Sequence, residues 1–185
     1  MSYLSYTKNF QGVGDVFLNN PGRYLPFVQL LSNMMDTDSD LTKAEREMIA
    51  LDVSRTNACH YCVDSHCAVL NKLGENVNAT KAAHLVDKAD EKMKAMLLFS
   101  STLTNNPEKI NQNEIKRLLE KGWSEQAIED AIGVISTFAF LNKIVDGLGI
   151  VGSDEHFAQV SSMVSQHGYG PLAQMVQQKA GSIQE

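Results

Sequence analysis

The sequence predicts an all-α fold. Three observations carry this prediction: apolar residues recur at helical spacing, cap and stop residues separate the apolar segments, and no run of alternating residues stands out as a strand. A chain of 185 residues with 43% hydrophobic content can bury one substantial core. We therefore expect a single domain over residues 1–185, with a core at about 22–150 and a C-terminal extension at 151–185 that is available for subunit contacts.

The first two predicted helices begin at recognisable local signals. A turn signal over residues 19–22 precedes apolar spacing that indicates a helix over about 22–35, whereas the residues before it look irregular. Thr42 and Glu45 have the form of a capping box, which opens a second helix towards Arg55.

A helix break follows at Thr56, Asn57 and Ala58, which are weak helix formers. Asn57 can cap the next helix, which runs from about Ala58 to Leu73 and stops at Gly74, a natural residue for a helix end. A sharp reversal at Asn57 would turn these two helices into an antiparallel hairpin.

The second half of the sequence predicts five further helices and a tail. The helices cover about residues 80–86, 91–104 behind the cap Asp90, 112–121, 125–148 behind the cap Ser124, and 155–164. The helix over 125–148 is the most apolar, so we expect it to be largely buried. The tail holds Gly168, Gly170 and Pro171, and its polar end is expected to dock on a partner subunit or to fray.

Charge and composition exclude several classes of partner. Sixteen basic and twenty-two acidic residues give a net charge of -6, without a basic run, so we expect no nucleic-acid partner. The first thirty residues lack a secretion signal, and no apolar stretch approaches the length of a membrane span. We therefore expect a cytoplasmic protein without a membrane partner.

Two of the three cysteines, Cys59 and Cys62, lie three residues apart. In a reducing compartment such a pair is catalytic or metal-binding rather than structural. Cys59, Cys62 and His66 share one helical face, whereas Cys67 does not. One thiolate can attack an oxidant and the other can close a disulfide, while the imidazole takes the thiol proton near neutral pH.

Two other interpretations of the cysteine pair remain open. The cysteines could be buried apolar residues, as free cysteines often are. Two thiolates and His66 could also bind zinc, but a closed site needs a fourth ligand, and His84, His156 and His167 stand alone. We therefore predict a redox dithiol without a metal.

Glu47 becomes a site candidate only if the chain reverses near Asn57. A straight helix would hold Glu47 about 18 Å from Cys59, whereas in a hairpin centred on Asn57 it lies opposite His66 and could orient the ring or relay its proton. The alternative is a solvated glutamate. The attacking thiol also stays open, because the helix dipole favours Cys59 and proximity to the base favours Cys62.

The spacing of Glu47, Cys59, Cys62 and His66 resembles the AhpD-like branch of the carboxymuconolactone decarboxylase superfamily, in particular the peroxidase-related subgroup. The surrounding residues agree, in the segments 41–47, 58–62 and 138–146. The resemblance implies an AhpD-like helical bundle, homo-oligomers such as trimers or hexamers, and peroxide reduction without haem, flavin or metal. The superfamily's decarboxylases lack the cysteine pair, so the presence of this pair favours redox chemistry over decarboxylation.

The resemblance also implies roles for the site residues. Cys62 would be the peroxidatic thiol, Cys59 the resolving thiol, and Glu47 and His66 the proton relay, with an external dithiol of the thioredoxin-like or lipoyl type as reductant. One position departs from the family pattern, because Tyr61 stands where the AhpD type protein has a histidine.

Three functions follow as expectations. The first is a thiol peroxidase that reduces hydrogen peroxide or organic hydroperoxides through the dithiol. The second is a general thiol-disulfide oxidoreductase or redox sensor. The third is a non-enzymatic oligomeric scaffold, in which Cys62→Ser would leave function intact.

Overall fold

A computed structural model of the chain describes residues 2–82 and 84–182, and it contains helices and no strand within these ranges. The α-helices are α1 Val13–Asn19, α2 Pro21–Asp36, α3 Lys43–Thr56, α4 His60–Lys72, α5 Ala79–Ala82, α6 Leu85–Lys88, α7 Glu91–Asn105, α8 Gln112–Glu120, α9 Glu125–Leu148, α10 Asp154–His167 and α11 Gly170–Gly181. Two 3-10 turns cover Ser5–Thr7 and Pro107–Lys109. The all-α prediction is confirmed.

Helix α3 forms the centre of the bundle. Its residues Ile49, Ala50, Leu51 and Val53 are fully buried, because α3 packs against α4, α7 and α9. The last two helices cover the same region from outside, since α10 packs against α4 and α11 against α2. Helix α4 therefore lies between α3 and α10, while α11 packs on the outside of α2.

The predicted helix starts agree with the structure where a local cap exists. Thr42 and Glu45 form the capping box of α3, with Thr42 N–H donating to Glu45 Oε2 at 2.7 Å. Asp90 and Ser124 accept backbone N–H groups at the starts of α7 and α9. Gly74 follows α4 with a φ of 97°, which a glycine adopts without strain.

The expectation of an irregular N-terminus is wrong. Val13–Asn19 form α1, and its residues Val16 and Phe17 are buried in the core. Asp15 stabilises the start of this helix, because its carboxylate accepts the N–H groups of Gln11 and Gly12. The sequence did not reveal α1 because a helix of two turns, with glycines at its start, is too short to show a helical repeat of apolar residues.

Two predictions for the later helices also need correction. The single helix expected over residues 80–86 is interrupted: α5 ends at Ala82 and α6 begins at Leu85, and residue 83 lies outside the described residues. The C-terminal tail does not fray in its described part, because α11 extends to Gly181 and packs on α2.

Helix α9 is less buried than expected. In the described chain it alone has the length and apolar composition of a membrane span, but such features are also typical of core helices. One face of α9, including Val134, Ile135 and Phe138, packs in the core. Its other face leaves Ile132 and Phe140 exposed, the latter at 44%. The helix is therefore amphipathic in its packing rather than buried all round.

Candidate active site

The site is built on the reversal between α3 and α4. Ala58 adopts a left-handed conformation with a φ of 58°, so the chain turns back within three residues. Cys59 then occupies the cap position of α4, and its N–H donates to Ser54 O at 2.9 Å. The helical hairpin is thus confirmed by the structure.

Asn57 does not cap α4, contrary to the prediction. It ends α3, and its side-chain amide donates to Oδ1 of Asn142 at 3.0 Å. Asn142 in turn donates to Ser54 Oγ at 3.1 Å. These contacts join the reversal to α9. The cap position moves to Cys59 because Ala58 takes the left-handed conformation and α4 starts two residues later.

Cys59 and Cys62 form a disulfide, with their Cα atoms 5.3 Å apart. Both residues are buried. Their sulfur atoms lie at the N-terminal end of α4, where unpaired backbone N–H groups and the helix dipole favour a thiolate in the reduced protein. Cys67 lies apart from this pair, and burial together with the nearby Asp64 raises its thiol pKa to about 11. Cys67 is therefore a poor nucleophile at neutral pH.

Glu47 and His66 face each other across the hairpin. Oε2 of Glu47 lies 2.7 Å from Nδ1 of His66, and both side chains are buried. The interpretation of Glu47 as a solvated residue is therefore wrong. An ionised carboxylate only accepts hydrogen bonds, so this contact requires a proton on Nδ1 of His66, and in the neutral ring Nε2 is then the acceptor. The edge of the ring contacts Phe138, with centroids 4.6 Å apart.

Tyr169 is a site residue that the sequence did not reveal. Its hydroxyl donates to Oε1 of Glu47 at 2.8 Å, so each carboxylate oxygen has its own partner. Burial and the adjacent Glu47 raise the pKa of Tyr169 well above its usual value, which keeps the phenol protonated as a donor. The one feature of the sequence that marks this position is the pair of glycines, Gly168 and Gly170, on either side of Tyr169.

Asp36, at the end of α2, fixes the backbone of Tyr169. Its Oδ2 accepts the N–H of Tyr169 at 2.8 Å and the N–H of Gly170 at 2.9 Å. Gly168 has a φ of 68°, and a Cβ atom there would collide with the Asp36 carboxylate. Glycine is therefore required at residue 168 for this close approach.

His156 also reaches the site, although the sequence indicated an isolated histidine. Its Nε2 lies 2.9 Å from the hydroxyl of Tyr61, which also accepts the N–H of Val13 at 3.2 Å. Burial raises the pKa of Tyr61 to about 12 and lowers the pKa of His156. Both groups are therefore neutral near pH 7. His84 lies outside the site. Its side chain is exposed, and its Nδ1 lies 3.7 Å from Oδ2 of Asp87.

A largely enclosed cavity of about 110 Å³ joins these residues. Its polar lining is contributed by Tyr61, Cys62, Ser65, His66, His156 and Tyr169. Its other walls are apolar and come from α1, α2, α4, α9, α10 and α11. Cys62 lines this cavity and Cys59 does not, which gives the two sulfurs different access to a small molecule.

The polar residues of the cavity have no arrangement typical of a metal site. Among residues 2–82 and 84–182, no three His, Cys, Asp or Glu side chains are grouped so that they could hold a metal ion. The two sulfurs bond to each other, and His66 bonds to Glu47. A cysteine pair that closes a disulfide near an imidazole has the groups for thiol and proton-transfer chemistry.

Comparisons with known proteins relate this site to a family. Residues 24–99, which include the hairpin, match the carboxymuconolactone decarboxylase family. The fold is similar to that of a peroxidase-related protein from Silicibacter sp. TM1040, with 26% identity and a TM-score of 0.72 over 80% of this chain and 79% of that one. It is also similar to a peroxidase-related protein with an alkylhydroperoxidase AhpD core from Ralstonia eutropha JMP134, with 25% identity and a TM-score of 0.70 over 77% and 76%.

A third similar structure has a different activity. It is a variant of the debrominase Bmp8 in complex with 2,3,4-tribromopyrrole, with 18% identity and a TM-score of 0.63 over 85% of this chain and 84% of that one. This likeness concerns the fold alone. The same bundle therefore carries more than one chemistry.

Proposed function

Because the chain belongs to the AhpD-like and carboxymuconolactone decarboxylase superfamily, we propose that it is a thiol peroxidase that reduces hydrogen peroxide or organic hydroperoxides. One observation carries the proposal: Cys62 forms a disulfide with Cys59 and lines an enclosed cavity together with His66. A dithiol that can close a disulfide next to a base has the groups that peroxide reduction requires.

The proposed reaction begins with the reduced dithiol. Nε2 of His66 takes the thiol proton of Cys62, and Glu47 stabilises the resulting imidazolium through Nδ1. The Cys62 thiolate attacks one peroxide oxygen, the O–O bond breaks, and the other oxygen leaves as an alkoxide or hydroxide that is then protonated. Cys62 becomes a sulfenic acid. The Cys59 thiol attacks its sulfur, which forms the disulfide and releases water.

The assignment of Cys62 as the attacking thiol is supported by access. Cys62 lines the cavity, lies one helical turn before His66, and shares the positive end of α4. Cys59 is fully buried outside the cavity lining, in a position suited to a resolving thiol.

An external dithiol must reduce the Cys59–Cys62 disulfide after each turnover. Both cysteine residues are buried, with 0% of Cys59 and 4% of Cys62 exposed. This burial favours a slender lipoyl-type dithiol over the broad docking surface of a thioredoxin-like protein.

A general thiol-disulfide oxidoreductase or redox sensor is the second candidate. The same dithiol would serve it, and the debrominase fold illustrates that this bundle is not restricted to peroxides. The burial of both sulfurs counts against protein disulfides as substrates, because a protein disulfide would have to enter the bundle. Small disulfides remain suitable substrates for this alternative.

Thiol titration after one equivalent of peroxide tests the proposal. In the reduced protein, hydrogen peroxide or tert-butyl hydroperoxide should remove two thiols and form the Cys59–Cys62 disulfide, detected by mass spectrometry. Cys67→Ser is the matched control and should react like the wild type. Cys62→Ser should not react, and Cys59→Ser should stop at a sulfenic acid. If peroxide leaves both thiols free while a small disulfide oxidises them, the second candidate replaces the first.

A further inference from the structure

We propose that Tyr61 and His156 form a second proton path to the cavity, which protonates the oxygen that leaves when Cys62 attacks a peroxide. This inference rests on the proposed function and adds an acid to it. Glu47 and His66 deal with the proton of the thiol, whereas the departing oxygen needs a proton of its own. Tyr61 is the group that would touch the leaving oxygen, and His156 acts through Tyr61.

The position of the tyrosine hydroxyl supports this role. Tyr61 precedes Cys62 on α4, and both residues line the cavity. Its oxygen accepts the N–H of Val13 at 3.2 Å and lies 2.9 Å from Nε2 of His156. When His156 carries its proton on Nε2, the tyrosine oxygen accepts two hydrogen bonds, and its own proton is free to point at a molecule in the cavity.

The acidity of this hydroxyl fits the task. A phenol with a pKa of about 12 stays protonated at neutral pH, yet it is a stronger acid than water, whose pKa is about 15.7. The alkoxide or hydroxide released when the O–O bond breaks therefore takes the phenolic proton in a downhill transfer. Burial lowers the pKa of His156, so its ring is neutral near pH 7. One ring nitrogen of the neutral ring can donate its proton to the tyrosine oxygen while the other accepts a proton.

The proton balance closes through the imidazole. As the Cys62 thiolate becomes a sulfenic acid, the leaving RO⁻ takes the Tyr61 proton and departs as ROH. The Nε2 proton of His156 passes to the tyrosine oxygen while Nδ1 takes a proton from solvent, and exchange of the ring protons with water then restores the Nε2–H tautomer before the next turnover. His156 is half-buried, so its ring links the enclosed cavity to water. The net change is one solvent proton delivered to the product.

The N-terminal segment is shaped around this pair. A Cβ atom on Gly12 would collide with both the His156 ring and the Tyr61 hydroxyl. Asp15 accepts the N–H groups of Gln11 and Gly12, which holds this backbone in contact with the two side chains. The tyrosine oxygen also satisfies the N–H of Val13 in the first turn of α1, which fixes the hydroxyl in one position.

Peroxides with different leaving groups test the inference. An alkyl hydroperoxide releases an alkoxide that needs a proton, whereas a peroxyacid releases a carboxylate that does not. With tert-butyl hydroperoxide, Tyr61→Phe should lower the second-order rate of Cys62 oxidation by about 100-fold, the usual size of general acid catalysis. With peroxyacetic acid the same variant should stay within about threefold of the wild type. The ratio of the two rates is independent of the fraction of folded protein.

Two further variants complete the test. His156→Gln keeps a donor beside the tyrosine but cannot relay a proton, so it should lose rate with the alkyl hydroperoxide only. Tyr24→Phe removes a phenol from α2 outside the cavity and should change neither rate. Equal losses with both peroxides in Tyr61→Phe would overturn the inference in favour of a packing role. A wild-type dithiol that reacts with neither peroxide would overturn the proposed function and this inference together.

Discussion

The carboxylate of Glu47 lies 2.7 Å from Nδ1 of His66, although nineteen residues separate them in the chain. The reversal at Ala58 brings the two residues together, and their burial excludes water from the contact. A buried charge-assisted hydrogen bond of this kind orients the imidazole and stabilises its protonated form. Glu47 is therefore expected to act through His66 rather than on the substrate.

Replacement of Glu47 by glutamine should slow disulfide formation. Glu47→Gln keeps the shape of the side chain but removes the charge that stabilises the His66 imidazolium, so we expect a loss of about 100-fold in the rate with peroxide. Stopped-flow thiol titration measures this rate. Glu45→Gln is the matched control, because glutamine also serves in the capping box. An equal loss in both variants would contradict the role of Glu47.

Removal of the Tyr169 hydroxyl should lower the stability of the protein. In Tyr169→Phe, Oε1 of Glu47 loses its partner in a buried site, which should lower the free energy of unfolding by about 1–3 kcal/mol. Urea unfolding measures this change. Tyr6→Phe, at an exposed tyrosine, should leave the free energy unchanged. A Tyr169→Phe variant as stable as the wild type would contradict the contact.

The stability of the protein should fall between about pH 10 and pH 12. The folded protein keeps Tyr61 protonated up to its pKa of about 12, whereas the unfolded chain releases this proton near pH 10. The unfolded chain therefore binds fewer protons in this interval, and the free energy of unfolding decreases by up to about 1.4 kcal/mol per pH unit. Denaturant unfolding at several pH values should show a shallower slope for Tyr61→Phe. Identical slopes would count against the burial of this phenol.

Glycine at residue 58 should stabilise the fold. Ala58 has a φ of 58°, a conformation in which an L side chain is strained, so Ala58→Gly should raise the free energy of unfolding by about 0.5–1 kcal/mol. The measurement is urea unfolding of the reduced protein. Ala95→Gly, inside α7, is the opposite control and should cost about 1 kcal/mol. A destabilised Ala58→Gly variant would contradict the observed turn.

The exposed apolar residues of α2 and α9 are the surface at which we expect self-association. Leu30 and Phe140 are each 44% exposed, and Ile132 is 37% exposed. Residues of this kind are common at subunit interfaces, and the family resemblance implies trimers or hexamers. Phe140→Ser should therefore reduce the molar mass measured by light scattering. Lys143→Ser, on the same helix, should not change it. A wild-type monomer would contradict the expected oligomer.

The sequence indicated the hairpin from a local break, and counting residues from that break placed Glu47 opposite His66, although a solvated Glu47 stayed open until the structure showed the contact. The sequence was not sufficient for Tyr169 and His156. Their partners lie 122 and 95 residues away, and such contacts depend on where α10 and α11 dock rather than on any local pattern. The prediction for Asn57 failed for the same reason, since its amide donates to Asn142, 85 residues away on α9, instead of capping the next helix.

The anchoring of Tyr169 by Asp36 has a consequence for biosynthesis. The cysteines leave the ribosome before the phenol that completes the Glu47 contact, because Tyr169 follows Glu47 by 122 residues in the chain. A nascent chain that has released only α1 to α9 holds the thiols without Tyr169 or His156. The contact network around the dithiol is therefore complete only after α10 and α11 have been synthesised and have docked.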